Sequence, residues 1–294
     1  MAPPPQPAQQ PGPRFQKGKK IDQDVAAEPP RPVSAPRGAT YEKQPRGRYR
    51  VVDQTEAGIS GALVVIDRSE TPPKRYLFKP STGEQAVPRA EQRGVLPGHY
   101  APRSKAAEMA AEKLGIATPK VKLVEINGRK GSLTEWVEPT ATVNKVMSLE
   151  DFSTKHRLLY DNMVGGKDFK AAMAGIDALD YLINNLDRGQ NLGNYMIEVD
   201  QHNNFVGLKP IDHDLTFTST RGRAVTENWT RDLPESYSPD MIKRLRDLDA
   251  GRGAFLESIR PLVGDEAIPG VARRLDELIT DMWAKERAKQ KAKP

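Results

Sequence analysis

The sequence predicts an α+β protein of two lobes, a β-rich first part followed by a mostly helical second part. Three observations predict this. Residues 49–138 carry short β-branched and aromatic runs separated by turn signals. Residues 139–284 space their apolar side chains at helical period. No apolar run in the 294 residues approaches the length of a membrane span, so both patterns must close on internal cores.

Composition removes several function classes. The chain has no cysteine, which excludes a disulfide framework, a thiolate zinc site and a cysteine nucleophile. The four histidines, His99, His156, His202 and His213, are scattered without metal-ligand spacing. The net charge is +6, but residues 1–50 hold 10 Lys/Arg against 4 Asp/Glu, and residues 285–294 hold five basic residues against one acid. Residues 51–284 are left slightly acidic, and no helix combines a basic stripe with stacking aromatics. Nucleic acid is therefore not an expected partner. The N-terminus lacks a secretory apolar stretch, so cytoplasmic folding is the expectation, with a non-classical, effector-type route as the way such a leader could be exported.

Residues 1–48 contain 11 of the 25 prolines and almost no large apolar side chains. Such a segment buries too little surface to offset its ordering entropy and reads as a disordered basic leader. The first lobe, 49–138, opens with "RYRVVDQ", "GALVVID" and "KRYLFKP", three strands in hairpin order. A long loop over 80–103 leads to "SKAAEMAAEKLGI", a helix with Ala107, Ala111 and Leu114 on one face. "KVKLVEI", "NG" and "RKGSLTEWVE" form a further hairpin. In the second lobe, 139–284, "SLEDFSTKHRLLYDNMV" starts with an N-cap pattern and reads as one helix. "KDFKAAMAGIDALDYLINNL" presents Met173, Ile176, Leu179, Leu182 and Ile183 to a core. "NYMIEVD" and "FVGLKPID" pair around "QHNN", three helices follow, and 285–294 is a basic tail.

Four features carry candidate chemistry. The turn "EAGISGALVVID" brings Gly58, Ser60 and Gly61 between two strands, where backbone N–H groups can approach phosphates; an ordinary hairpin turn explains the same residues. Lys79 ends an apolar strand, where an ammonium can bridge phosphate oxygens or simply snorkel. Glu108 or Glu112 on the alanine-rich helix can neutralise Lys79 or form a solvated face. "LDRGQNLGNYMI" and "PIDHDLTF" place Asp187, Asn191, Asn194 and Asp212 on successive loops. Hard oxygen ligands so arranged suit Mg²⁺ shared with nucleotide phosphates, and leave Asp187 to orient an attacking hydroxyl.

The order of these parts resembles the phosphatidylinositol 3- and 4-kinase-like branch of the protein-kinase-like fold, with HipA-like and secretory-pathway kinases as broader cousins. "NNLDRGQNLGNYMI" is similar to that branch's catalytic loop, "PIDHDLTF" to its metal-binding loop, and the likeness spans roughly 50–283. The resemblance implies ATP with Mg²⁺ or Mn²⁺ as cofactors. It implies Asp187 as catalytic aspartate, Lys79 as phosphate lysine with Glu108 as partner, Asn194 and Asp212 as metal ligands, and Glu135, Trp136 and Val137 as the backbone that meets adenine. Departures from the pattern are equally specific. The family places four residues between its catalytic Asp and metal-binding Asn, whereas three separate Asp187 from Asn191 and six separate it from Asn194. Register to the following strand favours Asn194. Asp214 stands where the family has glycine, and Ser104 where its helix has glutamate. The function expected is transfer of phosphoryl from ATP to a protein hydroxyl. A lipid acceptor, AMP transfer and a non-catalytic nucleotide-binding scaffold are the alternatives.

Overall fold

Residues 74–80 show how the first lobe is built. Tyr76 and Phe78 point into a core with Tyr49, Val51, Val65, Val124 and Leu133, while the intervening Leu77 and Lys79 face the opposite side. The computed structural model describes residues 38–55, 61–91, 94–137, 144–188, 191–218 and 233–291. Strands β1 (Glu42–Lys43), β2 (Tyr49–Gln54), β3 (Leu63–Asp67), β4 (Lys74–Pro80), β5 (Val121–Ile126) and β6 (Arg129–Glu135) form one sheet in the order β1-β5-β6-β4-β3-β2. All pairs are antiparallel except β1 with β5. The β5–β6 hairpin turns through Asn127 and Gly128, both at positive φ, as the "NG" signal predicts.

The fold begins before the expected boundary at residue 48. β1 pairs with β5, and the Gln44 amide donates to the Glu125 carbonyl at 2.9 Å. Arg48 donates from Nε and Nη2 to the buried Asp67 carboxylate at 2.9 and 2.7 Å. A two-residue strand carries no readable period, which is why composition assigned this stretch to the leader. Residues 1–37 lie outside the described residues.

The expected loop over 80–103 is shorter and partly structured. It holds a 3₁₀ turn (Ser81–Gly83) and α1 (Pro88–Glu91), and α2 (Tyr100–Leu114) starts four residues earlier than its alanine pattern indicates. Pro102 is tolerated because it sits in the first turn. Glu84 stands in for an N-cap side chain: its carboxylate accepts from the amides of Gly98, Tyr100 (3.2 Å) and Ala101 (3.4 Å). Burial, with the Asp214 charge adding to it, pushes the Glu84 carboxyl up to about 8, against the pull of those amides. α2 ends in a left-handed Gly115. It is buried on nearly every side, because it packs on β5 and on the helices of the second lobe.

That second lobe contains a small sheet of β7 (Lys145–Ser148), β8 (Tyr195–Val199) and β9 (Phe205–Pro210), all antiparallel. β7 was not expected. The single helix expected over 148–164 is two, α3 (Leu149–Lys155) and α4 (Arg157–Val164), with His156 at non-helical φ −132 and ψ 48. No proline or glycine marks that break. The N-cap is as expected, Ser148 Oγ accepting from the Asp151 amide at 3.0 Å. α5 (Lys167–Ile183), α6 (Pro239–Ala250), α7 (Arg252–Val263) and α8 (Ile268–Lys291) enclose the main core with α2. Leu179, Leu182, Leu245, Ile259, Leu275 and Leu278 are fully buried there, each such side chain contributing about 1.5–3 kcal/mol. The expected basic tail at 285–294 continues α8 as far as Lys291, and Lys285 Nζ donates to Asp281 Oδ2 at 2.7 Å. Among the described residues no helix is long and apolar enough to cross a membrane.

Candidate active site

A cleft of about 250 Å³ opens on the face of the large sheet that carries Leu77 and Lys79, and its far wall is Met196 and Ile211–Asp214 of the second lobe. Thr55 and Ala62 close one end; the Thr55 amide donates to the Ala62 carbonyl at 2.9 Å. Gly58 and Ser60 lie outside the described residues, and Gly61, at φ +55, leads into β3. Glu135, Trp136 and Val137 line another edge. Their backbone is set by bonds from the Glu135 amide to the Lys120 carbonyl (3.0 Å) and from the Trp136 amide to the Arg75 carbonyl (3.2 Å).

Lys79 Nζ lies 2.7 Å from Asp212 Oδ1 and 2.8 Å from Asp214 Oδ2. Ser104 of α2 donates from Oγ to the other Asp214 oxygen at 2.6 Å. Burial disfavours the Lys79 ammonium, but the two carboxylates outweigh it and hold Lys79 protonated well above the ordinary lysine range. Burial likewise works against an ionised Asp212, yet Lys79 keeps its carboxyl below the usual value; for Asp214 burial prevails and raises it. The two carboxylates differ in access: the Asp212 side chain is 39% exposed and that of Asp214 is 6% exposed. Asp212 also has φ +58, a left-handed backbone that costs a non-glycine residue energy and is held by the surrounding loop.

Glu108 is not the partner of Lys79. It is buried on α2, bonded to Lys105 in the same helix turn and to Lys120 at 3.0 Å, and Glu112 also meets Lys120 at 3.2 Å. The register of α2 gives both glutamates to Lys120, just before β5, and brings Ser104 to the cleft wall.

The loop after α5 holds its two asparagines differently. Asn191 Oδ1 accepts from the Gly193 amide at 3.1 Å, an Asx turn on an exposed residue. Asn194 is buried; its Nδ2 donates to Asp187 Oδ2 at 3.1 Å and its carbonyl accepts from the Ile211 amide at 3.0 Å. That backbone bond ties the Asp187 loop to the Asp212 loop. The structure thus groups Lys79, Asp212 and Asp214 directly, and connects Asp187 and Asn194 to them through Ile211.

Arg188 is the residue that sequence reasoning passed over. Fully buried, it bonds Asp180 of α5, the Ile211 carbonyl (2.7 Å) and His213 Nδ1 (2.9 Å). A guanidinium only donates, so His213 Nδ1 accepts and the ring proton sits on Nε2. Burial and the Arg188 charge push His213 well below the ordinary histidine range, which keeps it neutral. The "Asp-Arg" dipeptide was the available signal, but nothing local specified a partner 23 residues away. Asn185 completes the loop, its Oδ1 accepting from the amides of Asp187 (2.9 Å) and Arg188 (3.3 Å).

Among known structures, the Helicobacter pylori proinflammatory kinase CtkA matches with a TM-score of 0.51 at 13% identity, over 82% of this chain and 95% of that one. The fold is protein-kinase-like. The Golgi casein kinase matches at a TM-score of 0.48 and 15% identity, over 84% of this chain and 71% of that one. The Mycobacterium tuberculosis PknI kinase domain matches at 0.34 and 12%, over 84% and 98%. By sequence, no family model and no curated protein matches the chain.

Proposed function

We propose that this protein is a phosphotransferase of the phosphatidylinositol 3- and 4-kinase-like branch, using ATP with Mg²⁺ or Mn²⁺ and a protein hydroxyl as acceptor. The observation that carries this reading is one cleft lined by both the Lys79–Asp212 pair and Glu135–Val137, with the Asp187–Asn194 loop bonded to its wall where the Ile211 amide donates to the Asn194 carbonyl at 3.0 Å.

The residues present fit a magnesium–nucleotide pair. Among the described residues no group of three or more His, Cys, Asp or Glu forms a closed cage. Mg²⁺ keeps waters and takes phosphate oxygens in addition to one or two protein ligands. Asp212, the more open carboxylate, would be one ligand. Asn194 would be the other, because its NH₂ is the group bonded to Asp187 and the amide oxygen is the hard donor that remains. When bound, the ion would neutralise phosphate charge.

The chain's own groups would do the rest. Lys79 would place a compact positive charge on the phosphates. Glu135–Val137 would hold the base by backbone groups. Asp187 would orient the acceptor hydroxyl and take its proton as the new O–P bond forms and the bond to the leaving phosphate oxygen breaks. Catalysis would be positioning and charge neutralisation in a preorganised cleft. The basic, proline-rich leader supports a docking or export segment of the effector type.

Incubation with γ-labelled or α-labelled ATP, Mg²⁺ or Mn²⁺ and a cell lysate tests the reading. Label from the γ position on protein is expected, with Asp187→Asn and Lys79→Ala each reducing it about 10²–10³-fold and Lys79→Arg rescuing poorly. Label from the α position would assign AMP transfer, label in the lipid fraction a lipid kinase, and ATP binding without transfer a scaffold.

A further inference from the structure

We propose that Asp214 is the residue that positions Lys79, with Ser104 of α2 as its anchor, so that the counter-charge of the phosphate lysine comes from the loop after β9 and not from a helix. This inference rests on the phosphotransferase reading above.

Three observations carry it. The first is connectivity. Asp214 uses one oxygen on Lys79 Nζ (2.8 Å) and the other on Ser104 Oγ (2.6 Å), so a single carboxylate joins β4, the Asp212 loop and α2. The second is burial. Asp214 and Ser104 are 4% and 5% exposed, so their geometry is fixed by packing, whereas Asp212 stands at the open side of the cleft. Two aspartates two residues apart thereby divide the work: both border the cleft, Asp212 at its open side and Asp214 buried and tied to α2 through Ser104. The third is the engagement of the acids on α2. Glu108 and Glu112 are bound by Lys105 and Lys120, which leaves Asp214 as the buried carboxylate at Lys79 among the described residues.

A merely structural Asp214 would stabilise the fold and nothing more. A positioning Asp214 makes the location of one negative charge matter, and that charge can be moved. A glutamate at 104 reaches two bonds further than serine, toward the volume that glycine at 214 would vacate. Beside the native aspartate the same glutamate adds a second buried carboxylate, which repels the first.

The test measures kcat and KM for ATP, with melting temperature, in Asp214→Asn, Asp214→Gly, Ser104→Glu, Ser104→Ala and the Ser104→Glu/Asp214→Gly pair. Asp214→Asn keeps the shape and removes the charge. It is expected to lower kcat about 10–100-fold. Ser104→Ala, which loosens the anchor but keeps the ion pair, is expected to lower kcat several-fold. The decisive outcome is a reversal of sign: Ser104→Glu lowers kcat in the native background and raises it about tenfold or more in the Asp214→Gly background. Equal harm in both backgrounds overturns the proposal, as does a wild-type kcat in Asp214→Asn or Ser104→Ala. If the wild-type chain transfers no phosphoryl group, the functional reading fails and the same reversal is read in ATP affinity. A wild-type chain without ATP affinity overturns both.

Discussion

Gly131 lies in β6 opposite Pro80, one residue from the strand position that carries Lys79, and its neighbours leave no room for a side chain. A Cβ built there would stand 2.2 Å from the Lys79 carbonyl oxygen and 2.9 Å from both the Lys79 carbonyl carbon and a Phe78 ring carbon. The first contact is backbone, so no rotamer change relieves it. Ordinary van der Waals contact begins at 3.4 Å, so Gly131→Ala must open the β4–β6 spacing by about 1 Å. Overpacking of this kind costs about 1–3 kcal/mol, and a chain of this size melts about 2–4 °C lower per kcal/mol. The expected fall in Tm is therefore roughly 2–12 °C. Activity should fall further than stability does, because the displaced backbone carries Lys79, and a misplacement of about 1 Å in a reacting group costs on the order of 10²-fold. Gly253 in α7 is the control: it has nothing within 4 Å of its would-be Cβ, and Gly253→Ala should raise stability by about 0.5–1 kcal/mol through reduced backbone entropy. Thermal melts and kcat/KM for ATP on both variants decide the matter. A Gly131→Ala protein melting within a degree of wild type would refute the contact geometry, and one that melts lower with unchanged kcat/KM would refute the link to Lys79.

Two further outcomes are expected. Asn194→Ala should lower metal-dependent activity at least tenfold, with partial recovery at high Mg²⁺ or Mn²⁺. Asn191→Ala loses only its turn bond to Gly193, about 0.5–1 kcal/mol of stability, and the opposite ranking in activity would overturn the assignment. Burial alone would raise the Asp67 carboxyl, but Arg48 and Ser69 hold it down to about 2, against 3.8 when unfolded. A depressed folded-state value means stability that is present above pH 3.8 and lost as pH falls toward 2, worth about 2 kcal/mol. Urea midpoints at pH 2, 3, 4 and 5 should show that loss in wild type and a flatter profile in Arg48→Met; identical profiles would remove Arg48 as the cause.

What could be read before the structure was whatever repeats locally. The short β-rich runs of β2–β4 placed Lys79 at the end of an apolar strand, and that is where it lies. The "NG" turn, the Ser148 cap and the β8–β9 pair were legible for the same reason, since each is specified within a few residues. β1 was not, because two residues show no alternation, and neither was the start of α2, whose cap is a carboxylate 15 or more residues upstream. The partner of Lys79 was the most consequential miss. A glutamate on a helix is a reasonable guess from type and spacing, but Asp214 reaches Lys79 across 135 residues of chain, and only the packing of α2 decides which of its side chains faces the cleft.

The same distinction explains why Arg188 deserves weight equal to the residues beside it. A buried ion pair is weak evidence of stability, since desolvating both charges offsets most of their attraction. Its value lies in specificity. Arg188 and Asp180 are both fully buried, and the guanidinium has donors left for the Ile211 carbonyl and His213 Nδ1. Each bond holds a different piece of the site: α5 through Asp180, the strand exit at Ile211, and the loop between Asp212 and Asp214 through His213. A shift of the Ile211–His213 loop against α5 would leave Arg188 its Asp180 partner but break its bonds to the Ile211 carbonyl and His213 Nδ1, at about 1–3 kcal/mol for each buried group left unsatisfied. Asp212, at φ +58, lies between Ile211 and His213, the two residues of its loop that Arg188 bonds, so a side chain outside the cleft braces the segment that carries the carboxylate facing it.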